Sequence, residues 1–484
     1  MVTFKIFNHH FRTTFLFLLV AEFALLFLFT YAAVYFRFET LEWQPVVESL
    51  ERLPLKAFVY SLFMILAMVA MGQYQTPAPR GKHYFPQILQ RVTISLILGS
   101  LGLLVVYYVF PEVLIGRGIF GLAVGFSLIG ISLLRTVLYH TVDGRALRRK
   151  VLVLGVGDFA ANILNNKTNG SESSVGQARV LSPAYASYVI HGFVQIADEE
   201  IKISEKFLVN PGDNLAEYCL EYGIDEVVLA ISDRRRKLPV EALLQCKLVN
   251  INVIDFVAFW EREKGMLRLD MLNPSWMIFS DAGLRGGIGN ILSRLFDISL
   301  SFIILAFMFP ILILTAILIF IESGFKGPIF YRQTRVGQDG KHFDLLKFRS
   351  MIVNAEKDGE AKWASASDAR VTRVGKFIRK VRIDELPQLL NIFRGDMSIV
   401  GPRPERPEFV ETLEKKIPFF QVRHSVKPGL AGWAQLKYPY GASEEDAYNK
   451  LQYDLYYVKN HSIFMDAFIL LQTVEVILLG KGAR

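Results

Sequence analysis

In 484 residues, 54 Lys and Arg face 46 Asp and Glu, for a formal net charge of +8 and a pI near 9.2, and only two cysteines occur, Cys219 and Cys246, in no metal-ligand or C-x-x-C spacing. A hydrophobic content of 52% and a mean hydropathy of +0.31 exclude a simple soluble protein, while 21% charged residues exclude a wholly membrane-embedded one, so two or three domains of mixed character fit. The basic balance suits an anionic partner, a phospholipid surface, a nucleotide or a nucleic acid, and the cysteines predict neither zinc nor a structural disulfide.

Four apolar stretches come first, at roughly 14–36, 56–72, 92–110 and 118–140. Each is near the ~20 residues that a helix needs to cross the hydrocarbon core. The first is too long for a signal-peptide core and shows no small-residue cleavage site, so it reads as retained. Basic residues favour the tail (Lys5, Arg12), the second loop (Arg80, Lys82, Arg91) and the exit (Arg145, Arg148, Arg149, Lys150). The first loop carries Glu39, Glu42, Glu48 and Glu51 against Arg37, Arg52 and Lys56. This asymmetry predicts both ends of the bundle in the cytoplasm. The bundle reads as an uncharged anchor and scaffold, not as a transport path.

The run K-V-L-V-L-G-V at 150–156 predicts a buried strand, followed by Gly155-Val156-Gly157-Asp158-Phe159-Ala160 and a helix. G-x-G-x-x-A after a strand is a dinucleotide-binding pattern, in which glycines admit a pyrophosphate to a helix N-terminus. Further strands are expected at 188–194, 225–231 and 253–256, giving a doubly wound α/β domain. A polar, low-complexity loop is expected at about 165–182, and the next strand ends at Val194-Gln195, where a ribose-binding acid would stand. A degenerate domain with a structural or regulatory role is therefore expected.

A fifth apolar segment, 298–321, is long enough to span. Pro310 at its middle removes a helical hydrogen bond, and basic residues flank both ends: Arg285 and Arg294 before, Lys326, Arg332 and Arg335 after. A crossing would put one basic cluster on the wrong side, so a helix broken at Pro310 that dips in and returns is expected.

The segments that follow carry the chemistry. A strand at 343–349 places Lys347 and Arg349 on one face and Leu346 and Phe348 on the other, a cationic floor suited to phosphates. Arg379, Lys380 and Arg382 then precede Asp384-Glu385, and Pro387 suits the first turn of a helix. Acids at a helix start are common caps, but a cap does not account for three preceding cations. The loop 394–405 supplies Gly401-Pro402-Arg403-Pro404, where glycine admits an anion, proline stiffens the turn and Arg403 can bind phosphate bidentately. Lys427-Pro428-Gly429 and Gly432-Trp433-Ala434-Gln435 form another rigid turn. Ser443, with Asp446 three later, predicts an N-cap for a helix through about 458. After Ser462, an apolar helix reads equally as interfacial or buried.

In this order and spacing the motifs at 290–484 resemble the catalytic domain of the bacterial monotopic phosphoglycosyl transferases, the bacterial sugar transferase family. The whole chain resembles the long form, in particular exopolysaccharide-type undecaprenyl-phosphate hexose-phosphate transferases, including the ending Gly480-Lys481-Gly482-Ala483-Arg484. The resemblance implies a mixed membrane protein: a four-helix transmembrane bundle at 1–149, a Rossmann-like α/β domain at 150–282, and an α/β monotopic catalytic domain at 283–484. In that domain a re-entrant membrane helix, about 294–322, breaks at Pro310. It implies transfer of a hexose-1-phosphate from a UDP-hexose to undecaprenyl phosphate with release of UMP, the initiating step of exopolysaccharide biosynthesis. Asp384 would be the nucleophile that carries the phosphosugar, and Glu385, with Asp384, would hold Mg²⁺. Lys347, Arg379 and Arg403 match family positions around the phosphates, with Arg349 and Arg382 completing the cationic set. The implied setting is the bacterial inner membrane, with the soluble domains and active site on the cytoplasmic face. The implied partners are the lipid bilayer and the two substrates, with a homo-oligomer left open and no nucleic acid. The family break is usually Ser-Pro; Phe309-Pro310 stands here, without a hydroxyl.

Two rival readings are a membrane-tethered nucleotide-sugar dehydratase, which would want a Tyr-x-x-x-Lys that the chain lacks, and a non-enzymatic scaffold. A P-loop kinase is excluded, since no G-x-x-x-x-G-K-[ST] occurs.

Overall fold

Long apolar runs bounded by turns give four helices in the first part of the chain: α1 Thr13–Phe38, α2 Leu53–Ala70, α3 Tyr84–Val109 and α4 Arg117–Thr141. The computed structural model describes residues 3–6, 9–38, 52–74, 84–141, 148–165, 171–175, 178–182, 188–196, 199–231, 238–272, 287–353, 370–438, 441 and 443–478. The loop charges Glu39 to Glu51, Arg80, Lys82, Arg145 and Arg285, and the ending 480–484, lie outside these. The chain divides into two units, the first running from His10 to Lys264 and the second from Gly265 to Arg484.

In the bundle α1 packs on α2 and α4, and α3 on α2 and α4, around Tyr60, Met64, Met68, Leu103 and Ile131. The expectation of uncharged spans is corrected here. Glu22 on α1 and Arg135 on α4 form a two-pronged ion pair, 2.6 and 2.9 Å, and the Tyr74 hydroxyl also donates to Glu22. Two single charges vanish into an apolar average, and they persist in the bundle because each supplies the other's partner.

The α/β domain holds β1 Arg149–Leu154, α5 Asp158–Asn165, β2 Ser171–Val175, β3 Ala178–Ser182, β4 Tyr188–Val194, α6 Leu215–Glu221, β5 Glu226–Leu229, α7 Val240–Leu248, β6 Asn252–Asp255 and α8 Phe256–Lys264. The sheet order is β2-β3-β4-β1-β5-β6, with β4, β1, β5 and β6 parallel and the β2–β3 hairpin antiparallel at one edge. The four expected strands are present. The polar stretch expected as a loop at 165–182 instead contains the hairpin, because an edge pair needs main-chain pairing more than apolar side chains. At the glycine-rich turn the Val156 N–H donates to the Glu199 carboxylate (2.9 Å), and the Lys202 N–H donates to the Val156 carbonyl (2.9 Å). A donor that a dinucleotide's diphosphate would use is thus taken by the chain's own acid.

The second unit begins its core at Leu267, Leu269 and Leu272. Its helix α9, Gly287–Glu322, runs uninterrupted with Pro310 inside it. This corrects the expected break: the proline leaves the Ala306 carbonyl without its usual donor, yet the helix continues on both sides. One face of α9 packs on the domain through Leu300, Ile304, Leu312, Ala316 and Ile319, while Phe302, Phe307, Leu314, Ile317 and Ile321 stay exposed. The remaining elements are the hairpin β7 Phe330–Val336 and β8 His342–Phe348, then α10 Arg373–Lys380, α11 Gln388–Arg394, β9 Ser398–Val400, α12 Pro407–Lys416, β10 Gly429–Ala431, α13 Trp433–Lys437, α14 Glu444–Asn460 and α15 Ile463–Leu478. The Ser443–Asp446 capping box opens α14 as expected. Helix α15 buries Met465 and Ile469 in the same core as Trp433, which settles its choice for the buried reading on that face.

Candidate active site

Strand β8 presents Lys347, and a single 3₁₀ turn, Ile383–Glu385, presents the two acids just ahead of α11. The turn is set up by Arg382, which adopts φ +61°, a left-handed conformation uncommon for a non-glycine residue. Pro387 caps α11, one position earlier than a first-turn proline. Strand and helix are tied by Asn391, which is fully buried: its Oδ1 accepts from the Leu346 N–H (3.0 Å), and its Nδ2 donates to the Asp344 carbonyl (2.8 Å). The side-chain amide thus stands in for a neighbouring strand along β8's open edge.

Asp384 and Glu385 are each 8% exposed. Oε1 of Glu385 accepts from Lys347 Nζ (3.1 Å) and Arg403 Nη2 (2.9 Å), with Arg382 Nη1 at 3.8 Å. Burial alone would raise Glu385, but the charges of Lys347, Arg403 and Arg382 outweigh it and hold the carboxyl well below its usual range. Asp384 moves the other way. Burial, and then the neighbouring Glu385 charge, pushes it up against the opposing pull of Lys347, Arg382 and Arg379. Burial pulls the Lys347 ammonium down, with Glu385 opposing. Two adjacent acids driven apart in this way are suited to different tasks. Glu385 is the fixed anion that gathers the cations, and Asp384 is the acid with a free oxygen, since its Oδ1 is buried without a hydrogen-bond partner.

The structure therefore brings Lys347, Arg382 and Arg403 onto the acid pair. Arg379, in the last turn of α10, acts on Asp384 through its charge without an ion pair. Arg349 stands apart, buried at 9% exposure just beyond β8, so the expected open cationic floor is open only at Lys347. Trp433 belongs to the core instead of the site; its Nε1 donates to the Gly265 carbonyl (2.7 Å). Three supporting groups escaped the sequence reading. Asn391 is one, flagged only as a polar residue in an apolar helix. The others are Arg423 and Asp454, a buried pair at 2.9 Å in which Arg423 Nη2 also donates to the Arg403 carbonyl (2.8 Å) and steadies the loop that carries Arg403. Close backbone approach supports the same loop: a Cβ on Gly401 would lie 2.3 Å from the Lys427 carbonyl oxygen.

Among the described residues no group of three or more His, Cys, Asp or Glu could cage a metal. A pair of carboxylates with one orphaned oxygen fits a hard divalent cation that completes its shell with phosphate oxygens and water.

The sequence model of the bacterial sugar transferase family matches residues 288–480. A UDP-N-acetylgalactosamine-undecaprenyl-phosphate N-acetylgalactosaminephosphotransferase of Aeromonas hydrophila is 41% identical over 242 residues, 50% of this chain and 56% of that protein. A UDP-glucose:undecaprenyl-phosphate glucose-1-phosphate transferase of Klebsiella pneumoniae is 41% identical over 199 residues, 41% of this chain and 42% of its own length. The uncharacterized sugar transferase EpsL of Bacillus subtilis is 38% identical over 194 residues, which cover 91% of it. The chain belongs to the bacterial sugar transferase family. It spans about half the length of the first two relatives.

Proposed function

We propose that this protein is a membrane-bound phosphoglycosyl transferase that moves a hexose-1-phosphate from a UDP-hexose to undecaprenyl phosphate, releases UMP and initiates exopolysaccharide biosynthesis. The observation that carries the reading is the divided acid pair: Glu385 is saturated by cations, and beside it Asp384 keeps a buried oxygen without a partner. Both substrates are anions, so a carboxylate can attack phosphorus only where positive charge screens it, which Lys347, Arg379, Arg382 and Arg403 supply. Asp384 attacks the phosphorus that bears the sugar, the bond to UMP breaks, and the aspartyl phosphosugar then meets the lipid phosphate. Asp384 and the second oxygen of Glu385 would hold Mg²⁺, which when bound neutralises diphosphate charge.

Helix α9 supports an active site on one membrane face. Near its start Arg294 donates to the Ile392 and Phe393 carbonyls, and Asp297 accepts from Ser398 Oγ and the Ile399 N–H. At its end Glu322 accepts from the Val374 N–H (3.1 Å). These ties lie 28 residues apart (322 − 294), about 42 Å of straight helix against a core of about 30 Å. A straight crossing would part them, yet both bind the same unit. We therefore read α9 as an unbroken helix held to one face of the bilayer, with the catalytic domain at the cytoplasmic face of the inner membrane, in keeping with the basic flanks.

The test is UMP release from a panel of UDP-sugars by the full-length protein with undecaprenyl phosphate, followed by intact-mass analysis. A sugar-phosphate adduct is expected on Asp384, and Asp384→Asn should lose turnover by at least about 10³-fold. Normal turnover of Asp384→Asn, or an adduct on another residue, would falsify the assignment.

A further inference from the structure

Arg349 is the cation of the strand face that Glu385 does not use. Its guanidinium is buried, Nη1 has no hydrogen-bond partner, and among the described residues no carboxylate forms an ion pair with it. A guanidinium removed from water with an unfilled donor is costly unless an anion completes it.

The surroundings of Arg349 differ from those of Lys347. The Arg349 N–H donates to the Ile329 carbonyl (2.9 Å), and Nη1 lies against Gly327. Gly327 has φ +100°, and a Cβ there would stand 2.5 Å from Nη1 and 3.2 Å from the Val353 side chain. The glycine thus opens a notch for the guanidinium. It lies five residues past Glu322, where the apolar helix α9 ends (327 − 322). Phe325, Phe330, Ile352 and Val353 nearby in sequence are exposed. The core cluster of Ile319, Phe348 and Ile378 fastens the end of α9 to β8 and α10. Lys347 and Arg403 thus meet the acid pair, while Arg349 meets the stretch that follows the apolar helix α9.

A nucleotide-sugar is water-soluble and can reach the acid pair from solvent. A phosphate tethered to a lipid is confined to the apolar margin. We propose that Arg349, in the notch over Gly327, binds the phosphate of the lipid acceptor and not the donor's diphosphate; this rests on the function proposed above. In the step it serves, an oxygen of the lipid phosphate forms a new bond to the phosphorus of the Asp384 adduct. The bond from that phosphorus to Asp384 breaks, and its electron pair returns to the carboxylate. The product is a lipid-linked diphosphosugar, and no oxidant or further reactant is needed.

The two half-reactions separate the roles. Full-length Arg349→Lys keeps the charge but loses the planar fork, and Gly327→Ala pushes a methyl group into the notch. In both, UMP release and the aspartyl adduct should form at close to the wild-type rate, which also shows that the variant is folded. Transfer to undecaprenyl phosphate should fall at least about tenfold, with a raised KM for the acceptor. Equal loss of both half-reactions, or unimpaired transfer in both variants, overturns the assignment. If the wild-type protein releases no UMP from any UDP-sugar, the proposed function itself fails and the acceptor site fails with it.

Discussion

Through one oxygen Glu385 gathers Lys347 and Arg403, and the supporting residues behind them are neutral or internally paired. His424 is an example. Burial, reinforced by the Arg423 charge, pulls its imidazole from the ordinary 6.5 down to about 3. Between those limits the unfolded chain binds more protons than the folded one, so stability falls as pH drops below about 6.5 and keeps falling toward 3. His424→Asn removes this contribution. The melting temperature of the purified protein in detergent should then decline less between pH 7 and pH 5 than the wild type does. At this scale the sequence showed the chemistry but not the wiring. Arg379 and Arg382 were legible because they directly precede Asp384-Glu385, and Lys347 and Arg403 because a strand face and a Gly-Pro-Arg-Pro loop suited to phosphate carry them. That Glu385 takes the cations while Asp384 keeps a free oxygen depends on burial and on distances that spacing does not encode. Asn391 and the Arg423–Asp454 pair were illegible for the same reason, since each meets its partner across the fold.

Elements with strong local signals matched their expectation: the strand Tyr188–Val194, the strand after Arg149 and the capped helix Glu444–Asn460. The departures come where tertiary context overrides a local rule. Pro310 sits within a continuous α9, and polar residues at 171–182 pair as edge strands. Glu22 and Arg135 join α1 to α4 inside a bundle of mostly apolar helices. Removing one partner strands the other charge, whereas removing both does not. Glu22→Leu alone should lower the melting temperature in detergent more than the double exchange Glu22→Leu with Arg135→Leu. An equal or larger loss in the double variant would count against the pair as the joint between these helices.

For the whole molecule the decisive question is which side of the membrane carries the catalytic unit. Cys219 and Cys246 are fully buried, so an introduced surface cysteine reports its own side. A cysteine in place of exposed Lys341 should react with a membrane-impermeant maleimide only after the inner membrane is opened; labelling in intact spheroplasts would place the domain outside. The sequence by itself determined the membrane-plus-soluble division, the four parallel strands of the α/β domain and the family of the C-terminal part. These rest on hydropathy, residue period and motif order, all of which are local in the chain. Only the tertiary structure decided that α9 stays tied to one unit at both ends, that Glu199 fills the glycine-rich turn and that Arg349 stands apart from the acid pair. Those outcomes depend on which distant groups meet and which are left without a partner once water is excluded, and neither is a property of neighbours in sequence.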